Sequence, residues 1–283
     1  MSQLVKKIRT SAGDCRIDYN ALANLPTVSN PNLLINGDFR NPINQRGQSR
    51  YEGMTTRGYT IDRWCMGEQD YQRTVELVDG GITITNPNTT YIGTFQQVFE
   101  KALPQGTYTL SVKVKSIAYG GATMSCGGSH YDTRRDLVVG INTLTLTDAT
   151  IDTFNIYLAQ NSSITLEWAK LEYGAVATQF IPKQYAEELM ICRRYFCVVV
   201  PSTMIIARQR YDGNVSYFAG FPYPSVMRAL PNVKYESKTS DTSEILTGKL
   251  GLTHDEFCAK FFSIEGDYDD VELTYMSLDS EIY

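Results

Sequence analysis

Between Asn32 and Pro182 apolar residues recur at every second position, in short runs separated by Gly, Asn and Asp. In Gly106–Ile117 the residues Tyr108, Leu110, Val112 and Val114 fall on one side, with Thr107, Thr109, Ser111, Lys113 and Lys115 on the other. Gly80–Pro87, Gly140–Ala149 and Ser163–Gly174 repeat the pattern, and no helical period interrupts them. Strands of this length at this spacing predict an antiparallel β-sandwich over residues 32–182. The period then changes. Gln184–Phe196 places Leu189, Cys192, Tyr195 and Phe196 on one helical stripe, with Glu187 and Glu188 near its start and Arg193 and Arg194 near its end, as a helix dipole prefers. One helix is expected there, within a linking segment 183–197. Strand patterns return in 198–283, with Tyr211-Asp212-Gly213-Asn214 as a hairpin turn and a last strand running to Tyr283. Residues 1–31 alternate only loosely, are broken at Ser11–Asp14 and end on Pro26 and Pro31. They read as an arm that docks on another surface. The expected fold class is all-β: a sandwich, one linking helix and a smaller C-terminal β domain.

Composition narrows the function classes. The 283 residues carry a formal net charge of -5, which opposes attraction to a phosphate backbone or an anionic membrane surface. Nucleic acid is therefore not an expected partner. No uninterrupted apolar run is long enough to cross a bilayer, and the first residues lack the apolar stretch of a secretion leader, so no membrane insertion is expected. Six cysteines are scattered without metal-ligand spacing and are expected to be buried free thiols, as in a reducing cytoplasm. The aromatic residues are dominated by 19 tyrosines, which suit strands and contact surfaces.

Candidate chemistry is sparse. His130 sits in a glycine-rich turn with no nucleophile elbow beside it, and reads as a loop histidine. Asp38, Asp62, Glu167 and Glu172 would be the carboxylates of a glycan-cleaving pair, which requires two acids facing each other across a cleft. Gly120–Gly128 lacks the lysine and following helix of a phosphate cradle, and Gly266–Asp270 lacks the ligand spacing of a calcium loop. No catalytic residue and no cofactor is assigned. The densest motif, Asn32–Gly47 with Asn36-Gly37-Asp38 inside it, followed by Tyr59–Trp64, is read as a turn into the sandwich. Phe39 and Trp64 fill its core, and Asp62 or Arg63 fixes a buried polar contact.

Several of these stretches resemble, in order, the framework of carbohydrate-binding-module-like jelly rolls: "NLLINGDF", "FQQVFEKALPQGTYTLSVKVKS" and "ITLEWAKLEYGAVATQF". Together with "NQRG", "YTIDRW", "QYAEELMICRRYF", "MRALP" and the opening "VKKIRTSAGDCRIDYNALANLP", nearly the whole chain is similar to phage and prophage tail-fibre or receptor-binding proteins. The resemblance implies a jelly roll and an oligomeric fibre tip, usually a homotrimer. It also implies docking to other virion tail proteins through residues 1–31, and binding to a bacterial surface glycan or protein. The virion would be the site of action and the bacterial cytoplasm the site of synthesis. It raises a structural calcium between Asp38 and Glu167. Here the closing strand reads Glu-Trp-Ala-Lys rather than Asp-Asp, and an inward Lys170 would repel a cation, which favours a turn without metal.

The expectation is a non-enzymatic virion adhesin whose glycan contacts come from Tyr51, Tyr71, Tyr119, Tyr131, Arg208, Arg210, Tyr211 and Tyr217, with a trimer gaining by multivalency. A purely structural fibre or collar component and a glycan-degrading enzyme are the alternatives.

Overall fold

The computed structural model describes residues 7–10, 13–16, 29–52, 58–67, 73–129, 132–199, 207–211, 214–238, 250–256, 258–263 and 272–282. Its strands are β1 (Lys7–Thr10), β2 (Gly13–Arg16), β3 (Arg50–Tyr51), β4 (Gly58–Tyr59), β5 (Cys65–Met66), β6 (Thr74–Val78), β7 (Gly81–Asn86), β8 (Gly93–Tyr119), β9 (Ala122–Cys126), β10 (Arg135–Asp136), β11 (Gly140–Leu158) and β12 (Ser162–Tyr173). Helix α1 (Tyr185–Arg193) follows. Then come β13 (Phe196–Val199), β14 (Ala207–Tyr211), β15 (Asn214–Pro222), β16 (Asn232–Lys238), β17 (Leu250–His254), β18 (Cys258–Ser263) and β19 (Glu272–Asp279). The described pairings are antiparallel, and the described residues are mostly β with one helix among them.

The alternation of Gly106–Ile117 is realised in β8, where Tyr108, Leu110, Val112 and Val114 are buried and Lys115 is exposed. β8 and β11 are long because they serve two layers. Their pairing shifts register between Leu146 and Thr153, opposite the stretch of β8 that holds Pro104 and Gly106. Such irregularities bend a strand pair and increase its twist. Beyond the bend, the second half of β11 and the first half of β8 lie between β9 and β5. Before it, the first half of β11 and the second half of β8 run beside β12, β7, β6 and β3. The two layers face each other over one core, in which Phe95, Met124, Phe154 and Ile156 from one meet Val75, Ile84, Leu110 and Leu166 from the other. At its centre Trp64 stacks on Phe95 at 4.9 Å and meets Phe39 edge-on at 5.0 Å, as aromatic quadrupoles favour.

β12 shifts register against β8 at three places, and the last of these changes the phase of its side chains. Its register shifts between Leu166 and Trp168, so Ile164 and Leu166 point into the core, and after Glu167 it is Ala169 and Leu171 that do so. Trp168, Lys170 and Glu172 are thereby turned to the outer face. They are buried all the same, beneath residues 177–180. Lys170 Nζ lies 3.1 Å from Glu172 and donates to Thr178 Oγ1 at 2.7 Å. The charge expected to repel if it turned inward is thus neutralised on the other side of the strand.

Two further sheets, β13-β19-β16 and β14-β15-β18-β17, make up the described C-terminal part. Its small core gathers Cys197, Tyr223, Met227, Met276 and Leu278. The expected hairpin is present, Tyr211 pairing with Asn214. Two boundaries differ from expectation. The helix is Tyr185–Arg193, not Gln184–Phe196, because Phe196 leaves it to pair with Asp279, and Tyr195 and Phe196 are buried from outside the helix. The last strand ends at Asp279, after which Ser280–Ile282 are held by hydrogen bonds to Tyr195 and Tyr59. At the other end, β1 and β2 form a hairpin that pairs Thr10 with Gly13. The chain is fastened to the sandwich from Ser29 onward, where Ser29 Oγ donates to Gln179 O at 2.7 Å and Asn32 side-chain atoms bond the backbone of Ala169 and Leu171.

Candidate functional site

The motifs conspicuous in the sequence converge on a sealed junction. Asn36 adopts φ 57°, a left-handed conformation that asparagine tolerates, and its side chain bonds both the N–H and the C=O of Ile43 and the C=O of Asp62. Its own carbonyl accepts from Trp64 Nε1 at 2.9 Å. Gly37 lies so close to β12 that a Cβ would stand 2.5 Å from Ala169 O. Helix α1 is tied to the same turn, because Asn36 N donates to Glu188 at 2.6 Å.

A few ångströms away Gln45 N donates to buried Asp62 at 3.1 Å, and Arg46 stands 3.6 Å from both Asp62 and Glu281. The Arg46 guanidinium lies 3.8 Å over the Phe196 ring. Arg63 pairs with Glu281 with both side chains buried, and its guanidinium lies 3.8 Å over Tyr195. Burial pushes the Asp62 carboxyl up from an ordinary 3.8 to about 6, against the opposing hydrogen bond from Gln45. Burial works against the Arg63 charge too, but the Glu281 carboxylate outweighs it and holds the guanidinium above its ordinary value. The charges here are enclosed and oppose one another within the chain, while Arg46 Nη1 and Nη2 and Arg63 Nε make no hydrogen bond among the described residues, and the junction joins the sandwich to residues 194–196 and 279–282.

The outer faces of the two layers are open. On the layer containing β12, cross-strand neighbours form three rows: Thr145–Thr109–Glu172, Thr143–Ser111–Lys170 and Ile141–Lys113–Trp168. Residues 174–180 cover the first rows and stop short of the third. A groove of about 380 Å³ remains, floored by Ser111, Lys113, Ile141 and Trp168 and walled by Arg40 and Phe180. Phe180 is sandwiched: Trp168 stacks on it at 4.8 Å with the planes 3° apart, and the Arg40 guanidinium lies 5.6 Å from the ring centre. Arg40 is held by Asp38 through Nε–Oδ1 at 2.7 Å and Nη2–Oδ2 at 3.1 Å, and Lys113 Nζ lies 2.9 Å from Glu167. Ser111 is 1% exposed and its hydroxyl has no hydrogen-bond partner among the described residues. On the other layer Asp136, Thr123 and Tyr157 form a row across β10, β9 and β11. They line a second groove of about 280 Å³, with Arg134 4.3 Å over the Tyr157 ring.

The expected glycan-contact residues fall elsewhere. Tyr51 is corrected: it is 2% exposed, packs in the core from β3, and donates its hydroxyl to Asn44, while its strand neighbour Arg50 takes the outer side. Tyr119 is 44% exposed at the end of β8. The backbones of Arg208, Arg210, Tyr211 and Tyr217 form the β14–β15 hairpin, in which Arg208 is paired with Tyr217. Tyr71, Tyr131 and His130 lie outside the described residues. The backbones of Asp38 and Trp168 form a bridge, so the turn meets β12. The acids raised as calcium ligands, however, have cations beside them, Arg40 on Asp38 and Lys113 on Glu167. The acids weighed for catalysis likewise each have a cationic neighbour, Arg46 at Asp62 and Lys170 at Glu172. No disulfide joins the cysteines among the described residues; Cys65, Cys126, Cys192 and Cys197 are buried, and burial pushes the Cys197 thiol up to about 11.

Ser111, Lys113, Ile141 and Trp168 were not among the candidates. Their signal was the polar side of the alternation itself: Ser111 and Lys113 are the outward positions between core residues of β8. Compared with known proteins, the chain matches no family model and no curated protein.

Proposed function

We propose that this protein is a phage or prophage tail-fibre or receptor-binding protein, a non-enzymatic adhesin that attaches the virion to a glycan or protein of the bacterial surface. In this reading the sandwich is a jelly roll of the carbohydrate-binding-module kind, residues 1–31 dock to other virion tail proteins, and the working form is a homotrimer. The observation that carries the reading is the solvent-open groove on the outer face of the sandwich, where apolar side chains stand beside donors and acceptors. Surface sugars are recognised by such mixtures, each contact being weak and gaining by repetition around a symmetry axis. The order of the "NGDF", "NQRG", "YTIDRW" and "ITLEWAKLEYG" stretches supports the virion assignment.

An array of bacterial polysaccharide fragments, probed with the purified chain, tests the adhesin. Reproducible binding is expected, and sedimentation should give the mass of three chains. Silence across the array together with no binding to bacterial surface protein would sink the adhesin and leave a structural virion part. Release of reducing ends from a bound fragment would establish a glycan-degrading enzyme instead.

A further inference from the structure

The groove between Ser111, Ile141 and the Arg40–Phe180–Trp168 stack has features that go beyond general stickiness, and they restrict what it can hold. Its two cations are already spoken for. Arg40 grips Asp38 through two nitrogens and Lys113 reaches Glu167 at 2.9 Å, so an anionic or cationic ligand would have to displace an existing ion partner. A neutral ligand would not. It finds unused guanidinium and ammonium protons beside carboxylate lone pairs, an arrangement suited to groups that donate and accept at once. The apolar share comes from Ile141, which is 63% exposed, and from the rims of Trp168 and Phe180, whose faces are taken up within the stack.

The buried end of the groove supplies the independent sign of a ligand. Ser111 Oγ is shielded from solvent and has no hydrogen-bond partner among the described residues, although buried hydroxyls are nearly always bonded. Ser111 is among the groove's lining residues, so a ligand hydroxyl brought to it as that lining gives way would satisfy it. The volume of about 380 Å³ lies at the small end for ligand sites.

From this we infer that the outer-face groove floored by Ser111, Lys113, Ile141 and Trp168 is the receptor subsite, and that it takes a short stretch of neutral, hydroxyl-rich saccharide. The inference rests on the adhesin reading and replaces its scattered tyrosine and arginine contacts with one place. Binding fills the groove from the Ile141 side, sets a sugar hydroxyl on Ser111, and leaves both ion pairs in place.

The test uses the whole chain on an array holding neutral and uronate-containing polysaccharide fragments, followed by tryptophan fluorescence with the neutral fragment that binds best. The two tryptophans separate the signal, because Trp64 is enclosed in the core and Trp168 borders the groove. Neutral fragments should bind, the emission change should vanish in Trp168→Phe, and Ile141→Asp should weaken binding at least about tenfold by removing the exposed apolar side chain and drawing Lys113 into a new ion pair. Ser111→Ala should weaken it about three- to tenfold, the worth of one hydrogen bond, without lowering the melting temperature, since it removes a hydroxyl the free protein leaves unsatisfied. Tyr157→Ala, in the other layer's groove, should leave affinity unchanged. Wild-type binding that survives both Ile141→Asp and Ser111→Ala, or that is lost only in Tyr157→Ala, overturns the subsite and leaves the adhesin standing. Binding confined to uronate-containing fragments overturns the neutral class. A wild type that binds no fragment at all overturns the subsite and the glycan reading together.

Discussion

The junction around Arg63 and the groove around Ser111 are made of the same materials, arginines and carboxylates in pairs with aromatic rings beside them. They differ in enclosure. Arg63 and Glu281 are both buried, the guanidinium rests on Tyr195, and the charges are neutralised within the chain, although Arg63 Nε makes no hydrogen bond among the described residues. At the groove the Lys113–Glu167 pair is partly exposed, and a hydroxyl on the floor has nothing to bond. Closed clusters of opposed charge hold architecture together, whereas one that is open to solvent can meet a group from outside. Motif density is therefore a poor guide to function in this chain. The residues that look chemical in sequence assemble the body, and the surface suited to recognition comes from ordinary outward positions of β8, β11 and β12.

The largest effect expected from breaking this contrast lies in the junction. Glu281→Ala should lower unfolding stability by about 3–5 kcal/mol in urea titrations, because it strands the buried Arg63 charge. The double replacement Arg63→Met with Glu281→Leu should recover most of that loss, and a double variant as unstable as the single one would show that specific ionic geometry holds the junction. Next comes Gly37→Ala, expected to be destabilising by about 1–3 kcal/mol because its Cβ would press on the Ala169 carbonyl. A neutral result would mean that the turn can retreat from β12.

Smaller, but diagnostic, is the pH dependence of Asp62. Its folded-state value of about 6 lies above the ordinary 3.8, so the native state holds this proton more tightly than the unfolded chain does. The contribution of Asp62 to stability is thus greatest at low pH and declines as pH rises from 3.8 to about 6. Stability measured across that window should show a downward component that Asp62→Asn removes; identical profiles for the two proteins would contradict the burial. Smallest of all, Lys113→Ala should change stability by less than about 1 kcal/mol, since its pair with Glu167 is open to water. A loss as large as that of Glu281→Ala would erase the distinction between the two regions.

How far the sequence foretold the structure depends on which signal each part relied on. Tyr108, Leu110, Val112 and Val114 alternate without ambiguity, and so β8 was legible. The phase change at Glu167 was not, because apolar residues occupy both registers there, Leu166 before and Trp168, Ala169 and Leu171 after, and only pairing with β8 selects one. The bend that makes two layers out of β8 and β11 was equally hidden, as it depends on register between residues far apart in the chain. The end of helix α1 was misjudged because Tyr195 and Phe196 continue the helical stripe while tertiary pairing draws them into other company. For Tyr51 the exposed reading failed because a two-residue strand carries no period from which to tell its sides. The site was least legible, since an unsatisfied hydroxyl is a property of what surrounds Ser111 and not of serine.

Arg63 and Glu281 stand 218 positions apart along the chain. While the polypeptide is being synthesised, the segments of the sandwich emerge long before the carboxylate that neutralises their enclosed guanidinium. Until then that corner must stay hydrated and loose, and a chain released early or clipped before Glu281 would keep it so, open to proteases. The segment around Glu281 thus acts as a clasp that closes over Arg63.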